Sequence, residues 1–222
     1  MQALSFKNEK FNLKEPFDGL FTQGMVCHET YKDQKNNWLS PDEVFSEDGK
    51  NFFNKANPEE KVILGTTESM SKSKRNTIDP QNIIDNFGAD SVRFFILSDS
   101  PPERDIQWSE QGMVASFKFI QKLWNLNSRI LEKIKLNEDD LGVDNLTKFT
   151  NQLIHKITKN LENFQYNVIV ANFYEMYNFL HREIEKPIDK NILLSNYLKI
   201  LTMMIPFIPH FANECLDQIS NQ

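Results

Sequence analysis

The sequence predicts an α/β part followed by a mainly α-helical bundle. Three observations carry this. Up to about residue 108, short apolar runs alternate with turn signals, whereas from Ser109 onward apolar residues recur every three or four positions. The third is compositional: 18 Phe against 7 Gly favour packed helices over a glycine-rich β architecture. The expected division is therefore 1–108 and 109–222, and 222 residues suffice for a substantial core.

The elements follow in order. Phe17–Cys27, with Leu20, Phe21, Met25 and Val26, reads as a buried strand. Residues 31–61 are polar and punctuated by Asn36-Asn37, Asp48-Gly49 and Asn57-Pro58, which suggests a small hairpin-like insertion. Lys61–Gly65 reads as a further short strand leading to a loop. A helix then starts with Asp79 as N-cap and Pro80 in its first turn, and stops at Gly88, with Ile83, Ile84 and Phe87 on its apolar face. A second helix takes Asp90 as its N-cap, carries Val92, Phe95 and Ile96, and ends before Pro101-Pro102. Four amphipathic stripes follow: Met113, Phe117, Ile120 and Trp124; Leu153, Ile157, Leu161 and Phe164; Phe173, Met176, Tyr177 and Leu180; Ile192, Leu193, Tyr197, Leu201 and Ile205. Pro209–Ile219 makes a last short helix. Such stripes are ordinary core, and together they describe an antiparallel bundle.

The formal net charge is −6, all of it within residues 1–110; residues 111–222 are neutral. That excludes a generic basic coat for nucleic acid, so any RNA contact must use local patches. Cys27 and Cys215 are the two cysteines, and no CxxC pair exists, which excludes a disulfide framework and a cysteine zinc site. Met1–Asn8 has no long apolar run and no cleavage signal. Leu201–Phe211 is broken by Pro206 and Pro209 and cannot span a bilayer. The expected location is cytoplasmic.

The segment richest in chemistry is Glu68–Thr77, between the Lys61–Gly65 strand and a capped helix. Ser69, Ser71 and Ser73 alternate with Met70, Lys72, Lys74 and Arg75. Hydroxyls offer hydrogen-bond donors, and lysine ammonium groups suit phosphate oxygens. Such a loop can close over a triphosphate and neutralise charge as pyrophosphate leaves. Taken alone, the same residue types also make a solvated basic loop.

Met70–Lys74 followed by Asn76, Asp79-Pro80 and Phe87–Asp90 resembles the second signature of class I aminoacyl-tRNA synthetases, Lys-Met-Ser-Lys-Ser. Leu20–Val26, Leu97–Asp105 (Leu-Ser-Asp-Ser-Pro-Pro-Glu-Arg-Asp), Gln107–Glu110, Phe119–Trp124 and Pro209–Glu214 resemble the leucyl branch of that family. The resemblance implies that the α/β part is the remnant of a Rossmann-type catalytic domain and that the bundle is an anticodon-binding-type, tRNA-binding domain. It implies leucine, ATP with its Mg2+, and tRNA(Leu) as substrates and partners, in leucyl-adenylate formation and transfer to tRNA. By matching position Lys72 is the second lysine of the signature, which binds and stabilises the ATP phosphates. Ser71 and Ser73 support the loop, Met70 anchors it by its side chain, and Gln23 faces the nucleotide. Lys118, Lys122 and Arg129 lie near one helix face and could meet RNA phosphates; a solvated helix surface has the same spacing.

Two departures accompany the resemblance. Ser69 stands where the signature has its first lysine; Lys74 or Arg75 could compensate, or Lys72 could suffice. No His-x-Gly-His signature precedes the loop, so a missing N-terminal catalytic half is expected in cis or as a separate chain, and the 222 residues alone should be inactive as a ligase. Three readings follow: part of a ligase, one subunit of a split synthetase, or a non-catalytic tRNA-binding module. No metal is expected to bind the chain itself. Cys27-His28 is expected to pack at a strand end. His155 and His181 are expected at surface or satisfied polar positions, and His210 is expected to cap or orient the last helix. Arg104 could form an ion-paired corner or contact tRNA, and the acids flanking it favour the corner.

Overall fold

A computed structural model of the chain describes residues 17, 19–136 and 145–221. The opening segment Met1–Asn8, read above for a leader, lies outside the described residues. The described part holds mixed small sheets followed by helices packed as a bundle.

The first sheet has the order β8-β1-β9. Its central strand β1 (Val26–His28) pairs in parallel with β9 (Ile106–Gln107) and antiparallel with β8 (Glu68–Ser69). The strand expected over Phe17–Cys27 is thus confined to its last residues. Leu20 is 90% exposed and Phe17 74%, and neither belongs to a strand. Residues 19–25 have no sheet partner to cover them, so their apolar character alone does not make a strand. Their backbone N–H groups tie them: Gly24 N donates to the backbone Pro102 O at 2.8 Å and Met25 N to the side-chain Asp105 Oδ1 at 2.8 Å. A Cβ at Gly24 would lie 2.0 Å from the Arg104 carbonyl oxygen, so this approach requires glycine.

The insertion is richer than one hairpin. β2 (Tyr31–Lys32) lies between β3 (Trp38–Leu39) and β7 (Ile63–Leu64), and β5 (Phe53–Asn54) lies between β4 (Val44–Phe45) and β6 (Asn57–Lys61), all antiparallel. A 3-10 turn, Pro41–Glu43, joins the two sheets. Tyr31, Leu39, Val44 and Val62 form its own small core against Phe52. Asn36 (φ 70°) and Gly49 (φ 68°) sit in turns where Asp33 and Asp48 accept backbone N–H groups. Asn57-Pro58, expected as a turn, instead starts β6.

Helix α1 (Pro80–Phe87) begins as expected, with Asp79 Oδ1 accepting from Gln81 N at 3.1 Å. Helix α2 (Ala89–Ser98) differs. Gly88 is its N-cap, and Asp90 lies in its first turn. The buried Asp90 carboxylate accepts from Phe211 N at 2.7 Å and His210 N at 3.3 Å, so it caps the last helix and not its own. His210, expected as the cap, supplies only its backbone N–H. Arg93 donates to Pro206 O and Phe207 O at 2.7 and 3.3 Å.

The bundle comprises α3 (Glu110–Lys135), α4 (Asn145–Glu162), α5 (Tyr166–Glu183), α6 (Lys190–Met204) and α7 (Pro209–Ser220). Ser109 caps α3 and Asp189 caps α6. The stripes of α5 and α6 lie in the core largely as the periodicity predicts. On α3 the buried line is Met113, Phe119, Leu123, Leu126 and Ile130, and Phe117, Ile120 and Trp124 lie beside it; Trp124 is 40% exposed. On α4 the stripe starts earlier, at Leu146, and Leu161 and Phe164 are exposed. Phe94 of α2 is fully buried within the bundle core, stacked on Phe119 with centroids 5.2 Å apart.

Candidate functional site

The Ser/Lys loop runs from β8 to α1, so one end is pinned by the sheet and the other by a capped helix. Its internal frame is built by Asn76, which has no exposed surface. Asn76 Oδ1 accepts from Ser71 N at 2.8 Å, and Nδ2 donates to His28 O and Glu68 O, each at 3.3 Å. Ser71 Oγ and Ser73 Oγ share a hydrogen bond at 3.2 Å, and Lys74 N donates to Ser71 Oγ at 3.3 Å. Met70 N donates to Val26 O at 3.0 Å, but its side chain is only half-buried. The Asn76 amide is thus an anchor of the loop beside the one expected in the Met70 side chain, because a buried amide can satisfy several backbone groups at once.

The three cations of the loop are placed differently. Lys74 is ion-paired with Glu68, six residues back. Arg75 pairs with Glu43 at 2.9 Å and donates to Trp38 O at 3.2 Å. Lys72 has no ion-pair partner among the described residues, and it lines a cleft of about 1060 Å3. Both charges expected to compensate for Ser69, Lys74 and Arg75, thus have carboxylate partners in this arrangement.

The cleft is lined by His28 and Gln107 of the first sheet, by Ser40, Asp42 and Val44 of the β insertion, and by Thr77, Asp79 and Asn82 of the loop and α1. Trp108 also lines it, and its indole N–H is buried without a partner. Asp42 is held below the usual carboxylate range, first by a hydrogen bond from Ser40. Tyr31 is pushed above its ordinary value, first by burial and then by its bond to Glu29. Neither Trp108 nor Asn76 stood out as a site residue in the sequence; Asn76 was visible only inside the quoted signature.

The remaining expected site residues lie elsewhere. Gln23 is exposed and lines a smaller cavity of about 230 Å3 with Phe21, Ile96, Leu97 and Phe164, apart from Lys72. Lys118 and Lys122 are exposed on α3 and have no ion-pair partner among the described residues, whereas Arg129 is paired with Glu185. Cys27 is buried at mid-strand, and burial raises its thiol pKa, consistent with packing. His28 lines the cleft; His155 and His181 are exposed. The Arg104 corner is held by backbone, with Arg104 N donating to Pro101 O at 2.9 Å, and by Asp105; the guanidinium is exposed and unpaired among the described residues. Among the described residues no three His, Cys, Asp or Glu side chains gather to hold a metal ion, and no helix is long and apolar enough to cross a membrane.

Comparison with known proteins fits this geometry. Residues 60–109 match the family described as tRNA synthetases class I (I, L, M and V), and residues 144–222 match the anticodon-binding domain of tRNA ligase. Leucine–tRNA ligase of Bartonella tribocorum is 39% identical over 215 residues, 92% of this chain and 24% of that protein. The Rickettsia prowazekii leucine–tRNA ligase is 40% identical over 216 residues, 95% of this chain and 25% of that protein. This chain thus spans about a quarter of the length of these relatives. Among solved structures, LeuRS of Agrobacterium radiobacter in a ternary complex with tRNA and LeuAMS superposes with a TM-score of 0.65 at 22% identity, covering 92% of this chain and 22% of that one. Methionyl-tRNA synthetase of Mycobacterium tuberculosis with methionyl-adenylate gives 0.54 at 18% identity, over 67% of this chain and 35% of that one. The chain belongs to the class I aminoacyl-tRNA synthetases, as a segment of the leucine–tRNA ligase branch.

Proposed function

We propose that this chain supplies the phosphate-gripping loop and the tRNA-binding bundle of a leucine–tRNA ligase acting in protein synthesis in the cytoplasm. The sheet β8-β1-β9, with its one parallel pair, fits the edge of a Rossmann-type catalytic domain, with 1–108 as the catalytic portion and 109–222 as the tRNA-binding portion. In the proposed reaction the leucine carboxylate attacks the α-phosphorus of Mg-ATP, the bond to the β-phosphate oxygen breaks, and pyrophosphate leaves. The leucyl group then passes to the terminal adenosine of tRNA(Leu).

The observation that carries this reading is the state of Lys72. It is the one cation of the Ser/Lys loop with no carboxylate partner among the described residues, and it lines the cleft. An ammonium so placed can neutralise charge growing on the leaving pyrophosphate at no cost in breaking an existing ion pair. Ser71, Ser73 and Met70 hold the loop around it. Gln23 lines a different cavity from Lys72. The rest of the nucleotide and leucine sites is proposed to come from residues outside this chain, in cis or on a separate chain, since catalysis needs both sides of the transition state held together. Lys118 and Lys122 are the proposed phosphate contacts on the bundle, in preference to Arg129, whose charge is already paired.

The test is ATP–pyrophosphate exchange by the full-length protein. Lys72→Ala should slow exchange by about a hundredfold, the scale of losing one transition-state charge partner. Ser69→Ala should leave it nearly unchanged. Equal, small effects of the two substitutions would remove the basis for the assignment.

A further inference from the structure

Arg75 combines an unfavourable backbone with a well-held side chain. Its φ is +56°, a region disfavoured for any residue that carries a Cβ. Such a conformation persists where surrounding contacts over-determine it. Those contacts lie at the far end of the side chain. The guanidinium pairs with Glu43 Oε1 at 2.9 Å and donates to Trp38 O at 3.2 Å and to Ser40 Oγ at 3.5 Å. All three acceptors belong to the β insertion. The Glu43 carboxylate is itself oriented, because its Oε2 accepts from Ser40 N at 2.9 Å. That backbone bond is the first cause holding its carboxyl below the usual range, so Glu43 stays charged well into acid.

The same short stretch, Ser40 to Val44, lines the cleft that Lys72 also lines. Arg75 therefore joins two of the cleft's contributors, the insertion and the loop, three residues from the ammonium proposed to act on phosphate. Loss of the guanidinium would free the loop to move on its two end anchors, β8 and α1.

We propose that Arg75 is a positioning residue: it clasps the Ser/Lys loop to the β insertion and so sets where Lys72 stands in the cleft. This rests on the reading of Lys72 as a phosphate ligand. It gives the insertion a part in gripping pyrophosphate although the insertion contributes no residue to the loop itself.

The experiment uses the complete enzyme, with inorganic pyrophosphate as the probe and amide hydrogen exchange across residues 69–76 as a second readout. Arg75→Gly suits the positive φ and removes only the fork. Glu43→Gln breaks the pair without touching the loop. Because the pair is partly exposed, each should speed loop exchange and weaken pyrophosphate binding by about three- to fivefold. The double variant should do no more than one single, and Arg75→Lys should fall between. Glu60→Gln, which alters an acid bonded to Asn54 within the insertion, should change neither. Wild-type exchange and affinity in Arg75→Gly and Glu43→Gln, or effects that add, overturn the proposal, as does faster exchange with unchanged pyrophosphate affinity. If the unsubstituted complete enzyme binds no pyrophosphate, or binds it equally well as Lys72→Ala, the phosphate reading of Lys72 fails, and the exchange arm still decides whether the clasp exists.

Discussion

Asn76 has no exposed surface, and both ends of its amide are used by the loop and the strand beside it. The sequence showed the loop's cations and hydroxyls, because charge and polarity are local properties of a residue type. It did not show which cation is unpaired or which side chain closes the loop. Those depend on Glu43 and Glu68 arriving from other elements, and on backbone groups of His28 and Glu68 needing a partner. Cys215 offers a test at the same scale. It is fully buried in the bundle, and burial pushes its thiol up to about 12 from an ordinary 9.0. A thiol whose folded pKa is raised contributes stability that is fully present below pH 9.0 and is lost as pH climbs toward 12. Tyr197, also buried, is raised well above its ordinary value and acts in the same direction. Thermal melts should therefore show Tm falling above pH 9.0, and Cys215→Ala should make that fall shallower. An unchanged alkaline slope in the variant would refute the assignment.

At the scale of elements, helix starts were legible where the capping residue serves its own helix. Asp79 and Ser109 mark real starts in this way, and Pro209 marks another only by its place in the first turn. Asp90 misleads because its carboxylate crosses to α7, 120 residues away. It supplies the negative group that the first N–H groups of α7 need, and Arg93 engages carbonyls just before that helix. Asp90→Ala should lower unfolding free energy by about 1–2 kcal/mol, the upper range for an N-cap loss, read from the urea midpoint. Asp79→Ala, at an exposed cap on a helix with no buried residue, should cost less. The apolar stripe of α3 shows the other limit. Two apolar lines run along this helix, and periodicity gives no reason to prefer either. Phe119, Leu123 and Ile130 are buried because α5, α6 and α7 pack there. Phe117, Ile120 and Trp124 line a groove with Phe87 and Phe211 instead.

For the whole molecule, the order of a mixed α/β part and then a bundle was legible, because the change in hydrophobic period near Ser109 is a property of a long stretch. The β insertion was legible as an insertion but not as two sheets, since strands of two residues leave no periodic trace. The packing joins the two parts more closely than the change in period suggests. α2 lies before Ser109 in sequence, yet it packs on α3, α5 and α7. Dissection of the polypeptide must respect this. A piece starting at residue 109 would keep every helix of the bundle but lack the ring of Phe94 in its interior and the carboxylate that terminates α7. Removing a buried Phe alone costs about 3–5 kcal/mol. That piece should bind a hydrophobic dye and melt over a broad range, and one beginning at Gly88 should melt sharply. A piece that folds by itself should therefore begin upstream of the unit that the change in hydrophobic pattern delimits.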